Sequence, residues 1–132
     1  MCLIVPGKEV KVLVASKDVT CYKVLDNALR GPYRHMTYGM GELKTGDLDE
    51  VGSFRDDRDW RPYEYRAVFR GFHSFKSREG ARVEAHDWNF GMSVYRAVIP
   101  AGSRYISGIF TVGGREFTSY ASNALMVLEP AR

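Results

Sequence analysis

The feature that most constrains this chain is a pair of glycines, Gly113-Gly114, set between two stretches of alternating apolar residues. A two-residue hairpin turn of the primed type needs positive φ at both central positions, which glycine adopts without steric cost. Counted outward from the pair, Val112 opposes Arg115 and Phe110 opposes Phe117, an aromatic cross-strand pair. The pattern predicts a hairpin, and a hairpin commits its neighbourhood to antiparallel sheet.

The same period of two recurs along the chain. Val10, Val12 and Val14 alternate with Lys11, Leu13 and Ala15. Val19 to Leu25 places Tyr22 and Val24 on one face and Cys21, Lys23 and Leu25 on the other. From Tyr63 to Arg70, Tyr63, Tyr65, Ala67 and Phe69 oppose Glu64, Arg66, Val68 and Arg70. Ser93 to Ile99 sets Tyr95, Ala97 and Ile99 against Val94, Arg96 and Val98, and Leu125 to Leu128 reads as a buried closing strand. The best helical spacing runs from Arg78 to His86, with Ser77 as N-cap and Ala81 and Ala85 as an i, i+4 pair. Tyr-Arg-Ala-Val occurs at 65–68 and again at 95–98, but the flanks differ, so it reflects strand composition rather than a repeat. At 132 residues there is room for one domain. The expectation is a single α+β domain over 1–132, a twisted, mainly antiparallel sheet of about six or seven strands with one or two short helices.

One stretch differs in kind. An acidic loop or excursion over about 42–62 holds Glu42, Asp47, Asp49, Glu50, Asp56, Asp57 and Asp59 against Lys44, Arg55 and Arg58. Its deficit is hidden in the overall charge of +3, so the rest of the chain is more basic than that sum suggests. A balance of +3 does not argue for nucleic acid as partner. The longest apolar runs are strand-sized, which argues against a membrane span. Cys2 and Cys21 form neither a disulfide framework nor a zinc spacing, so a cytoplasmic setting is expected.

Standard catalytic spacings are missing: there is no HExxH, GxSxG, GxxxxGK[ST] or strand-borne GxGxxG. His35, His73 and His86 lie far apart, so neither a metal nor another cofactor is expected. The candidates are instead polar residues in strand or turn contexts. His73, framed by Phe72 and Phe75, is placed in the turn leading to the helix N-terminus, where free amides and the dipole attract anions. Arg96 sits between Val94 and Val98, where a guanidinium needs solvent or an anionic partner. Arg104-Tyr105 and Ser119-Tyr120 combine phosphate pairing, stacking and hydroxyl hydrogen bonds. The predicted ligand site is therefore His73, Arg96, Arg104, Tyr105, Ser119 and Tyr120.

Four segments occur in this order: Cys21-Tyr22-Lys23-Val24-Leu25, Gly71-Phe72-His73-Ser74-Phe75, Ile99-Pro100-Ala101-Gly102-Ser103-Arg104-Tyr105 and Ser119-Tyr120-Ala121-Ser122. On these motifs the chain resembles a family of small, uncharacterised phage and prophage-type proteins, over most of its length except the acidic excursion. The resemblance implies a bacterial host cytoplasm. By analogy of context it implies a non-catalytic, sponge-like protein that sequesters a nucleotide-derived anionic signal against host defence. A more remote likeness is to ADP-ribosyltransferase-type folds, with Tyr22-Lys23, Phe72-His73-Ser74 and Glu116 in the family's order. Lys23 stands where Arg or His is expected, and no Glu-x-Glu accompanies Glu116. That likeness implies a nucleotide-processing enzyme as the alternative function. A third expectation is an interaction module that binds a host factor through the acidic stretch. Strand edges and the many aromatics suggest a homo-oligomer.

Overall fold

The computed structural model describes residues 3–7, 9–31, 36–48, 65–68, 70–88 and 91–131. Among the described residues the strands are β1 (Leu3–Pro6), β2 (Leu13–Val14), β3 (Val19–Leu25), β4 (Leu43–Thr45), β5 (Tyr65–Val68) and β6 (Phe72–Phe75). The helix α1 (Arg78–Trp88) follows, then β7 (Ser93–Ile99), β8 (Arg104–Val112), β9 (Arg115–Ser122) and β10 (Ala124–Pro130). They form one sheet in the order β4-β10-β7-β3-β6-β9-β8-β1-β5, with β2 beside β8. The pairings between these strands are antiparallel. The described residues thus form a mostly antiparallel sheet with one helix.

Local chemistry explains the elements that were expected. Gly113 and Gly114 have φ of 58° and 73°, and around them Val112 pairs Arg115 and Phe110 pairs Phe117. Between β7 and β8, Pro100 to Ser103 closes a turn in which the Ser103 amide donates to the Pro100 carbonyl at 3.1 Å. Gly102, at φ 87°, supplies the positive dihedral such a turn requires at its third position. Ser77 caps α1, its hydroxyl accepting the Gly80 amide at 3.2 Å.

Other expectations change. Only Leu13–Val14 of the Val10 to Ala15 segment pairs as a strand. Val10 and Val12 instead pack, partly buried, against the cluster of Leu3, Leu48, Val68 and Ile106, where their side chains are taken from water without a ladder. Gly71 to Phe75 is not simply a turn, since Phe72–Phe75 forms β6, with His73 opposite Ala121. Of the strand expected from Tyr63 to Arg70, Tyr65–Val68 forms β5, while 63, 64 and 69 lie outside the described residues. The acidic stretch contributes β4, and its residues 49–62 also lie outside them, as do Cys2 and His35.

Alternation sorts the core onto the two faces of the sheet. Cys21, Leu25, Ala97, Ile99, Leu125 and Val127 cluster on one face, with Phe72, Tyr120 and Tyr38. The other face carries Val24, Phe75, Phe110, Val112 and Phe117, covered by α1 through Ala81. A Cβ on Gly80 would lie 2.8 Å from Phe75 Cδ1 and 3.0 Å from Phe117 Cγ, so the missing side chain lets α1 lie close to the sheet.

Candidate functional site

The sheet is sparsely paired where β3 meets β6. β3 pairs β7 from Val19↔Ile99 to Leu25↔Ser93, whereas among the described residues its register with β6 is the one pair Tyr22↔Phe75. Beyond that pair the strands diverge, and a side chain crosses the gap: Lys23 Nζ donates to the His73 carbonyl at 2.6 Å. The same ammonium lies 5.3 Å from the centre of the Tyr38 ring.

A cleft of about 70 Å³ opens in this gap. One water needs roughly 10–15 Å³ by this measure, so the space admits a small head group or the edge of a ring rather than a whole dinucleotide. Its polar lining comes from Lys23 of β3, His73 and Ser74 of β6, Ser119 of β9 and Glu84 of α1. Its walls are apolar and largely aromatic, with Phe72, Phe75, Phe110 and Tyr38. Met36 and Gly31 close one side, held by the Gly31 amide donating to the Met36 carbonyl at 3.0 Å.

Glu84 is the least expected member. It is 1% exposed and shares the inward side of α1 with Ala81 and Gly80, three and four residues earlier. Ser119 is buried, and its hydroxyl donates to the Phe117 carbonyl at 3.1 Å. Beside Ser74, burial pushes the Cys21 thiol up to about 11, with the Ser74 hydroxyl and the Lys23 charge acting the other way. Cys21 is therefore a core thiol rather than a nucleophile.

The six residues singled out from the sequence do not gather on one surface. His73 and Ser119 line the cleft. Tyr105 and Tyr120 meet edge to face, with ring centres 5.6 Å apart at 90°. Tyr120 pairs with Ser74 in the ladder but packs into the core cluster of Cys21, Leu25 and Phe72, and it does not line the cleft. Burial raises the Tyr120 phenol, with smaller contributions from Tyr105 and Cys21, so it remains a neutral ring in the core. Arg96 is bound by Glu129, with Nε and Nη2 each 2.9 Å from Oε1, in a separate hollow beside Arg78. Arg104 begins β8, where its amide donates to Asn123 Oδ1 at 2.9 Å. Neighbours such as Ser119-Tyr120 and Arg104-Tyr105 point to opposite faces, so contiguity in a strand motif is a poor guide to a shared site.

Lys23 and Glu84 were missed as site residues. Lys23 was read as an alternating strand residue and, in the remote likeness to ADP-ribosyltransferase-type folds, as the residue standing where Arg or His is expected, but it was left out of the predicted ligand site. Glu84 had a signal, since it falls between Ala81 and Ala85 on the apolar side of the helix. Among the described residues no group of three or more His, Cys, Asp or Glu is arranged to hold a metal, and no helix is long and apolar enough to cross a membrane.

Fold and cleft together define a small sheet-and-helix protein whose polar cleft lies in a divergence between two strands. Comparison with family models, with curated proteins and with solved structures finds no match in any of the three. The phage-type resemblance therefore rests on its four motifs alone.

Proposed function

We propose that this chain is a non-catalytic small-molecule-binding protein of phage type, which sequesters a nucleotide-derived anionic signal in the cytoplasm of a bacterial host. The observation that carries this reading is the convergence of Lys23, His73, Ser74, Glu84 and Ser119, drawn from four elements, on one aromatic-walled cleft. A concave, mostly apolar cleft with a few convergent polar side chains is the usual form of a small-molecule site. The phage-type motifs support the genomic setting, and two of them carry His73 and Ser119.

A thermal-shift and calorimetric screen with cyclic dinucleotides, ADP-ribose derivatives and mononucleotides tests the reading. A true ligand at a hundred times its Kd adds about 2.7 kcal/mol to stability. Lys23→Met and His73→Ala are expected to abolish the shift, while Arg96→Ala leaves it in place. No shift across the panel, with folded protein, rejects the proposal.

One observation favours a second reading, a nucleotide-processing enzyme. His73 and Glu84, both acid–base side chains, line the same cleft. On this reading Glu84 replaces Glu116, which is exposed in the hairpin opposite Thr111. Turnover of NAD or a signalling nucleotide, lost in Glu84→Gln and His73→Ala, would establish it. Recovery of the intact ligand after heat release of the protein argues against it.

A further inference from the structure

The loop that leaves β3 reaches the cleft, and its described residues are 26–31 and 36–38. Gly31, Met36 and Tyr38 of this loop form part of the wall, and Met36 is 37% exposed, so the loop stands between cleft and solvent. Its two arms are tied to each other. The Gly31 amide donates to the Met36 carbonyl at 3.0 Å, the Tyr38 amide to the Leu29 carbonyl at 2.8 Å, and Arg30 bridges Thr37. Arms bonded in this way can move as one piece without losing those bonds. They are fastened to the sheet through side chains. Leu29 and Tyr38 pack in the cluster of Cys21, Leu25 and Phe72, and the Tyr38 ring meets Phe72 edge to face at 6.2 Å.

Both ends of the unit have a pivot. Among the described residues Leu29 is the only non-glycine with positive φ, at 60°. The Leu29 amide donates to the Asp26 carbonyl at 3.0 Å and the Asp26 amide to the Arg30 carbonyl at 2.9 Å, which makes Leu29 the left-handed third residue of a three-residue reversal. Glycine is the usual occupant of that position, and a leucine there is strained. The packing of its side chain holds the strained backbone in place, and rotation about φ would relieve it while swinging the arms. At the far end Gly39 precedes Met40 and Gly41, which are anchored to Val127 of β10.

We infer that this loop is a lid on the cleft, latched by the side chains of Leu29 and Tyr38 and hinged at Leu29 and Gly39. A few residues at the ends of an element are enough to absorb such a swing. The inference adds a way in to the ligand-binding reading above.

The test follows Cys21, which is 0% exposed and belongs to the cluster that the latch closes. In a Cys2→Ser background, its alkylation by iodoacetamide is measured across low urea concentrations, beside global unfolding of the same protein. A lid gives a rate that hardly changes with urea, because local opening exposes little surface. Leu29→Ala keeps the strained backbone and shortens the latch, and should raise the rate about tenfold. Leu29→Gly also loses the latch but accepts the positive φ, so it should label about threefold more slowly than Leu29→Ala. Alkylation that rises with urea as steeply as global unfolding overturns the inference, as does a folded Leu29→Ala variant that labels at the unaltered rate. Labelling of Leu29→Gly as fast as Leu29→Ala overturns the hinge. If neither variant folds, the urea dependence of the Cys2→Ser protein decides alone. The labelling needs no ligand, so a lid that opens while every screened compound fails to bind rejects the ligand-binding reading and leaves the lid standing.

Discussion

At the scale of single residues, Gly80 shows how a missing side chain positions a functional one. Glycine inside a helix ordinarily costs about 1 kcal/mol against alanine, so Gly80→Ala would be stabilising on propensity alone. Here a methyl group would press on the rings of Phe75 and Phe117, both buried in the cluster beneath α1. Overpacking of this kind costs roughly 1–3 kcal/mol, so the substitution is expected to lower stability by about 1 kcal/mol net. A urea melt checks the sign, and a higher midpoint for Gly80→Ala would show that the rings yield. Because Glu84 lies one turn further along the same helix face, lifting α1 should also weaken any ligand of the cleft.

At the scale of elements, the loop after β3 is a self-capped unit beside the cleft. Asp26 Oδ1 accepts the Ala28 and Arg30 amides, each at 2.9 Å, while Oδ2 takes Arg30 Nε at 3.0 Å. The Arg30 amide does most to hold the Asp26 carboxyl below its ordinary 3.8; slight desolvation opposes it, and the Ala28 amide and the Arg30 guanidinium add to it. A carboxyl depressed in the folded state contributes stability in full above the unfolded value, and loses it as pH falls through the folded one. The loop should thus stay ordered down to about pH 4 and loosen below it. Amide signals of Ala28 and Arg30 followed through an acid titration report this, and Asp26→Asn should remove the pH dependence. An identical acid response in both proteins would refute the assignment.

Elements also show how much structure the sequence displays. β3 and β7 have the bounds that alternation assigned, the glycine hairpin has its assigned register, and α1 begins at its Ser77 cap. Each is governed by side chains within a few residues of one another. β1 and β6 were not read as strands, because four residues are too few to display a period. The repeated Tyr-Arg-Ala-Val makes the same point. It builds the strand β5, paired with β1, and half of the interior strand β7, so the same four residues serve unlike neighbours.

For the molecule as a whole, the sheet remains open among the described strands. β4 pairs only β10 in the strand order, and Leu43 of this outer strand is 48% exposed, with Met40 near it at 45%. An outer strand with apolar side chains is a template for pairing with another chain. Sedimentation of the purified protein is expected to give a dimer or larger homo-oligomer, and Leu43→Lys should shift it toward monomer. A monomeric unaltered chain removes that part of the reading.

Sequence alone was enough for the primed turn, the helix cap, and the periodicity and facing of β3 and β7. These follow from backbone sterics and from a period of two, both local properties. Only the tertiary structure decided that β3 and β6 lie side by side, meet at Tyr22 and Phe75, and then part. Lys23 and His73 are 50 residues apart, and Glu84 arrives from the helix packed over the same gap. Alternation says which way a side chain points but not which strand stands beside it. The cleft is a property of strand order, set by burial of the whole core.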